Sequence, residues 1–372
     1  MKFKLPKISI YDRYIFKQVA LTSLVAILLF TIVWIAPEIL LRTIKGALEG
    51  EYSMKTAMLI LLYELPLILE KVLPIGLLLG TLFTFDKLSK DSEMTIFRAV
   101  GMSFQRIIIP VLCLSVLFTG LCFVISDKAI PYAAAKKNEI KGKVRTAQYI
   151  YTQKDDKGLP LVSVIVSKSR NRDLYNVIVL DFASHVYQDV HQLSNIYSAK
   201  KGYAGDSKWI LRDVTHYNIS NDGIYVNIEH QDKINILDEK SAKNAMTLMT
   251  YSTMRTREIT NKDLFSYVKL LKSENLSEEY NSNLNKYLQR YVHPLICILL
   301  AILGCLLGFS KPREQRMIGF LIAAACIFVY YITSPFFDLL AEKEVLSPFI
   351  TSTLPLFAFM FAIYCFYKAK DI

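Results

Sequence analysis

Three ionisable residues interrupt the apolar stretch from Ala57 to Phe85: Glu64, Glu70 and Lys71, with Pro66 and Pro74 beside them. A charge at the middle of a bilayer costs about 2.5–3.5 kcal/mol on insertion scales, so such groups face a protein interior or a wet cavity rather than lipid. The two prolines can bend the helix that carries them. These residue types suit the lining of a path for a polar or amphiphilic cargo. The plainer alternatives are a structural pair of Glu64 or Glu70 with Lys71, or a helix whose first half projects beyond the membrane. A second group follows the first apolar run, where Glu38, Arg42, Lys45 and Glu49 are spaced 4, 3 and 4 apart on a segment otherwise filled by Ile39, Leu40, Leu41, Ile44 and Leu48. Arg42 and Lys45 offer the guanidinium and ammonium donors that grip phosphate on an anionic head group. Equally, their stems can lie along apolar surface while their charges snorkel to the interface.

A third group lies in the polar segment from Asp86 to Ser103. Ser89, Asp91 or Ser92 can cap a short helix there, and Gly101 can end it. On that helix Glu93, Phe97 and Val100 stand 4 and 3 apart, which puts a carboxylate and an aromatic ring on one face. Held between two membrane helices, it can press into a groove on a partner and pass that partner's motion into the membrane. The alternative is a surface turn with Phe97 dipping into lipid. Elsewhere the chemistry is sparse. The sequence has no Gly-x-x-x-x-Gly-Lys-Ser/Thr phosphate loop, no His-Glu-x-x-His, no Gly-x-Ser-x-Gly and no Cys-x-x-Cys, so it carries none of these signatures of ATP hydrolysis, metalloprotease, esterase or redox chemistry. His185 and His191 are six apart and read as surface or hairpin histidines before metal ligands. No metal site, cofactor or catalytic constellation is expected.

The elements that position these groups follow from composition. With 372 residues, 53% of them hydrophobic, and a mean hydropathy of +0.30, the chain is too apolar for an ordinary soluble enzyme and too polar to lie wholly in a bilayer. Six segments reach the ~20 apolar residues needed to cross a ~30 Å hydrocarbon core: Ile15–Leu41, Ala57–Phe85, Ile107–Ser126, Tyr291–Phe309, Met317–Leu340 and Pro348–Tyr367. The net charge of +11 sits mostly beside these spans. Thirteen Lys and Arg lie in the short loops of one side, from Lys2 through Lys87, Arg98 and Arg313 to Lys370, against four on the other side, Arg42, Lys45, Lys55 and Lys343. By the positive-inside rule both termini are then cytoplasmic, and the large insert after the third span lies outside. The run after Lys17 is too long for a cleavable signal peptide, so the first span is expected to stay as an anchor. All six cysteines fall in the spans, where thiols pack as small hydrophobes, and the insert must be stable without disulfides.

The insert reads as β. Val162, Val164 and Val166 alternate with Ser163, Ile165 and Ser167; Ile224, Val226 and Ile228 alternate with Tyr225, Asn227 and Glu229; Leu174–Phe182 is a third strand-like run. Turn signals at Lys157-Gly158, Gly205-Asp206-Ser207 and Asn221-Asp222-Gly223 separate them, and strands at this spacing imply a sandwich or jellyroll. Thr260-x-x-Asp263 resembles a capping box. It precedes Leu264, Tyr267, Val268 and Leu271 at i, i+3, i+4 and i+7, an amphipathic helix. A second helix start at Ser277 leads into the fourth span. The expected organisation is spans one to three over 1–126, with the short cytoplasmic helix at about 89–102. A basic connector follows over 127–145, including Lys136 and Lys137, then the β domain over 146–258, a helical connector over 259–290 and spans four to six over 291–372.

Laid end to end, these features resemble the lipopolysaccharide export permease family, LptF/LptG. The resemblance rests on Tyr11-Asp-Arg-Tyr14, Leu73-Pro74-x-Gly-Leu-Leu-Leu-Gly80, Leu88-Ser89 with Asp91-Ser-Glu93, Arg98-Ala-x-Gly101-Met-Ser103, the Trp209-Ile-Leu211 segment, Tyr267-Val-Lys-Leu-Leu-Lys272, Tyr287 to Pro294 and the Arg313/Arg316 loop. Their order around a β insert is more specific than any one of them. The Asp-Arg-Tyr start and the Tyr-Val-Lys-x-Leu-Lys helix lean towards LptG. The resemblance implies a six-span α-helical membrane protein with a periplasmic, jellyroll-like β domain between spans three and four. It also implies a non-catalytic subunit of an ABC-type exporter in the inner membrane that extracts lipopolysaccharide and passes it to a periplasmic bridge. Asp91, Glu93, Met94, Phe97, Arg98, Val100 and Gly101 would then belong to the coupling helix that meets a separate LptB-like ATPase dimer, with Glu93 central. Arg42, Lys45, Glu64, Glu70, Lys71, Lys136 and Lys137 would line the cargo path or its gate, with spans one and five forming lateral openings. The implied partners are a second LptF/LptG chain, LptC- and LptA-like β proteins, and lipopolysaccharide. Glu38 departs from the basic residue expected there in the LptG pattern, which leaves Arg42 and Lys45 as its substitutes. A permease of a lipoprotein-release system and a non-transporting scaffold with a β interaction domain are the alternatives, and an integral-membrane enzyme acting on lipid or glycan is the third.

Overall fold

The computed structural model describes residues 9–35, 39–50, 52–140, 146–154, 159–170, 172–182, 185–187, 190–205, 208–220, 225–237, 239–252, 254–274, 276–309 and 318–369. The chain divides into two compact units, Met1–Lys137 with Leu284–Ile372, and Asn138–Asn283.

The first unit is helical: α1 (Ile10–Ile35), α2 (Leu41–Leu48), α3 (Met54–Lys90), α4 (Glu93–Ala99), α5 (Phe104–Val124), a π-turn at Ile125–Ala129 that runs on into α6 (Ile130–Ile140) as far as Lys137, α9 (Ser277–Gly308) from Leu284 onward, α10 (Ile318–Glu342) and α11 (Pro348–Ala369). Six of these runs are long and apolar enough to cross a membrane, one for each expected span. The 37-residue α3 is ~55 Å long at 1.5 Å per residue, well beyond the hydrocarbon thickness, so part of it must project. Its start is fixed by Ser53, whose side chain accepts the Thr56 N–H, and Pro66 and Pro74 sit inside it without ending it. The third span likewise does not stop near Ser126 but continues through the π-turn into α6.

α3 and α9 form the centre, while α1, α10 and α11 turn broad apolar faces outward, with Leu28, Ile32, Phe328, Ile332 and Phe361 all exposed. Without a hydrophobic drive between helices in lipid, close approach depends on small residues. A methyl group on Gly80 would lie 2.5 Å from Ser23 Cα, and one on Gly304 would lie 2.6 Å from the Leu78 carbonyl. The α1–α3 and α3–α9 seams are therefore built backbone to backbone.

The second unit carries β1 (Thr146–Lys154), β2 (Pro160–Arg170), β3 (Asp173–Asp181), β4 (His185–Tyr187), β5 (Val190–Gln192), β6 (Asn195–Ala204), β7 (Trp209–Ile219) and β8 (Tyr225–Asn235). Six of them form one antiparallel sheet in the order β1-β2-β3-β6-β7-β8, and β4-β5 is a separate hairpin. The expected β domain between the third and fourth spans is thus a meander with a hairpin set into it. Alternation is not strict. Asn176 takes a φ of 50° and Asp213 a φ of 56°, so the buried positions run Leu174, Val177, Val179 in β3 and Trp209, Leu211, Val214 in β7. Ile228, expected to alternate inward, is 58% exposed, because β8 ends the sheet. His185 and His191 fall in the hairpin opposite Gln192 and Val186. The turns at 157–158, 206–207 and 221–223 lie outside the described residues, as do Ile224, Glu38, the basic residues 141–145 and the Arg313/Arg316 loop.

Helices α7 (Glu239–Ser252) and α8 (Asn261–Ser273) complete this unit. The capping box is present: Thr260 accepts the Asp263 N–H at 3.3 Å and donates to its carboxylate at 2.8 Å. The buried residues of α8 are Leu264, Tyr267, Val268 and Leu271, the stripe read from the sequence. Glu274 ties the helices to the sheet, accepting from Tyr151 and Asn244. Burial pushes the Tyr267 phenol up to about 12, and raises Tyr149 as well. Both rings stay uncharged in the core.

Candidate functional site

The short helix α4 is joined to α3 by two residues and to α5 by four. Asp91 ends α3, and Ser92 enters α4 with a φ of 62° and makes no side-chain cap. Ser92, which holds the N-cap position, therefore does not supply the side-chain cap expected of it. At the other end Gly101, at a φ of 89°, donates to the Arg98 carbonyl at 2.9 Å while the Met102 N–H reaches the Phe97 carbonyl at 3.1 Å. This paired arrangement closes the helix, and it needs a residue that tolerates positive φ.

Met94 is buried, 2% exposed, in a core with Phe85, Leu88, Phe104 and Ile107. Glu93 and Phe97 turn inward onto the first turns of α1. The Tyr14 hydroxyl donates to the Glu93 carboxylate at 3.0 and 3.1 Å, and the Phe97 ring stands edge-on to Tyr11 at 4.7 Å. Val100 does not share their environment. It is 77% exposed and Ile96 60%, with Thr95 exposed as well, so the outward surface of α4 is offset from the one expected. Arg98 places its guanidinium 5.6 Å from the centre of the Phe309 ring at the end of α9, a cation–π contact.

The start of α1 is also fixed to α5. Asp12 receives both guanidinium nitrogens of Arg106 at 2.6 and 2.7 Å and the Ser9 N–H at 3.0 Å, while Tyr11 donates to the Ile107 carbonyl at 3.1 Å. Bidentate charge-assisted pairs of this kind are both strong and directional. Tyr11, Asp12, Tyr14 and Arg106 are not among the site residues that the sequence marks, although Tyr11 and Tyr14 at i and i+3 share a face and open the first span.

Glu64 is 26 positions before the end of α3, ~39 Å along the axis from α4. It forms an ion pair with Lys137 of α6 at 3.1 Å, the two side chains only 8% and 13% exposed. Its partner is thus a lysine read from the sequence as part of a basic connector, not Lys71. Glu70 accepts from Ser126 of the π-turn at 2.8 Å. Lys71 holds its ammonium 5.3 Å from the Trp34 ring centre, and its carbonyl accepts the Tyr331 hydroxyl at 2.9 Å. Lys136 is partly exposed on α6. Arg42 and Lys45 are exposed on α2, where Lys45 lies 3.7 Å from Glu49. That helix is seated by Tyr52, which donates to the Thr43 carbonyl. At this same end Asp338 of α10 accepts from Asn285 at 2.7 Å and Gln289 at 2.6 Å, and Thr351 of α11 donates to Asn285. A carboxylate within an apolar run, the signal that marked Glu64, also marks Asp338.

A family model described as lipopolysaccharide export system permease LptF/LptG matches residues 13–368. The Escherichia coli K12 lipopolysaccharide export system permease protein LptF is 26% identical over 129 residues, covering 34% of this chain and 35% of that protein. The Haemophilus influenzae permease protein LptG is 24% identical over 226 residues, covering 58% of this chain and 60% of that protein. The chain thus matches between about a third and three-fifths of the length of these relatives.

Proposed function

This chain belongs to the lipopolysaccharide export permease family LptF/LptG, and from that membership we propose that it is the membrane-spanning subunit of an exporter that lifts lipopolysaccharide out of the inner membrane. The observation that carries the reading is a family match over nearly the whole chain, together with six spans arranged three and three around a β unit and a short helix between spans two and three. In this reading the termini and α4 face the cytoplasm and the β unit faces the periplasm, following the distribution of Lys and Arg.

The chain itself is not the catalyst. An LptB-like ATPase dimer burns the fuel and docks on the outward surface of α4, where Ile96, Val100 and Thr95 offer apolar contact and Asp91 and Arg98 offer charge. A second LptF/LptG chain completes the cargo cavity against the apolar faces of α1 and α10. Acyl chains meet those faces, and the phosphates of the cargo meet Arg42 and Lys45, which stay exposed where Lys137 and Glu64 satisfy each other. An open sheet edge is a template for strand addition, so LptC- and LptA-like β proteins continue the path beyond the membrane.

Purification in mild detergent tests this. We expect the ATPase subunit, a second permease chain and lipopolysaccharide to copurify, and lipopolysaccharide to stimulate ATP hydrolysis by the assembly. Copurification of an acylated protein as cargo would replace the reading with lipoprotein release. A chain that binds no ATPase would overturn it in favour of a scaffold.

A further inference from the structure

We infer that Tyr14 is a positioning residue that joins α4 to the first span, so that α1 is the element driven directly when α4 moves. The inference deepens the permease reading and rests on it for the source of the motion.

The geometry divides the ends of α4 from its sides. At each end the backbone holds a left-handed residue, Ser92 at a φ of 62° and Gly101 at a φ of 89°, in connections of two and four residues. Short connections containing such residues are where a rigid element swivels, so the ends alone do not decide which helix follows α4. The sides do. Both inward polar and aromatic groups of α4 meet the first turns of α1, Glu93 through the Tyr14 hydroxyl and Phe97 through the Tyr11 ring. The same turns of α1 are clamped to α5 by Asp12 with Arg106 and by Tyr11 with the Ile107 carbonyl. Residues 11, 12 and 14 thus tie α4 on one side and α5 on the other.

The two ties differ in kind. Asp12 and Arg106 form a bidentate ion pair, the stronger and more directional class. Tyr14 to Glu93 is a hydrogen bond at a solvent-exposed position, with Tyr14 43% exposed, and water or a partner group can take the place of either member. Tyr14 therefore transmits while α4 and α1 travel together and releases when they part, whereas the Asp12 clamp stays closed. Tyr14→Phe removes only the hydroxyl and keeps the ring.

The test uses the full chain with spin labels on Ala99→Cys in α4 and Leu24→Cys in α1, both on exposed positions, and the native cysteines replaced. In detergent the labelled wild type should give a narrow distance distribution, and Tyr14→Phe a distribution at least twice as broad, with a melting temperature within about 2 °C of wild type. In proteoliposomes containing the ATPase, the second permease and lipopolysaccharide, Tyr14→Phe should hydrolyse ATP within twofold of wild type but transfer about fivefold or more less lipopolysaccharide per ATP. An unchanged distribution, or an unchanged transfer per ATP in an active assembly, would overturn the joint. If Tyr14→Phe fails to insert, Glu93→Ala, which removes the acceptor of the same hydrogen bond, is read by the same distance distribution in detergent. It should broaden the distribution as Tyr14→Phe would, and an unchanged distribution would overturn the joint. Should the wild-type assembly neither hydrolyse nor transfer, the permease reading falls, while the distance distributions still decide the joint.

Discussion

The two ends of the helical unit spend their charges differently. At the far end of α3 the pair Glu64–Lys137 is almost closed to solvent, at 8% and 13% exposure. At the α4 end the pair Asp12–Arg106 is 17% and 35% exposed, and Tyr14–Glu93 lies in solvent. A buried pair is costly to assemble and costlier to break, because removal of one partner strands the other charge. A half-exposed pair costs less to form and less to lose. The far end is built as a fixed strut between α3 and α6, and the α4 end as a set of contacts graded from firm to exchangeable.

Breaking the strut should therefore have the largest effect. Glu64→Ala or Lys137→Ala alone is expected to destabilise the chain by about 3–5 kcal/mol, read as denaturant unfolding in detergent. The double variant Glu64→Leu/Lys137→Met should recover most of that loss. If the single variants cost no more than those at the α4 end, the contrast between the two ends disappears. Asp12→Ala should cost about 1.5–3 kcal/mol, the worth of hydrogen bonds between charged groups, and 0.5 M salt should shrink the difference from wild type. Gly101→Ala places a side chain at a φ of 89°, for an expected loss of about 1–2 kcal/mol. Its first sign should be faster amide exchange across residues 93–102. Smallest of all, Lys45→Ala removes a pair whose members are 76% and 54% exposed, and should change stability by less than about 0.5 kcal/mol. A larger change there would mean that α2 is packed in a way its exposed charges do not reveal.

What was legible in the sequence is what is local. Thr260 with Asp263, and the stripe Leu264, Tyr267, Val268, Leu271, need only neighbouring residues, and the structure forms both. Six apolar runs likewise report their own length. The partner of Glu64 is 73 residues away, and helical periodicity carries nothing about it, so the sequence offered the nearby Lys71 as its partner. Phe97 and Glu93 read as an outward face for the same reason. Periodicity says that they lie together but not which way they look, and that is decided by Tyr11 and Tyr14, which are 86 and 79 positions away. Ile228 shows the converse in the β unit, where an alternating run on the last strand of a sheet leaves an apolar side chain exposed. Asp338 lay in plain view in the fifth apolar run. The rule that flagged Glu64 applied to it equally, and its amide partners on α9 explain how it is tolerated.

The glycine seams on either flank of α3 bear on how a disturbance can travel. Soft side-chain packing absorbs a small displacement by changing rotamers, but contacts made at Gly80 and Gly304 leave no such cushion between backbones. A nudge at the foot of α3 must then tilt three helices as one plank. With a lever arm of ~39 Å from α4 to Glu64, a tilt of a few degrees becomes a shift of a few ångströms at the Glu64 end of the helix.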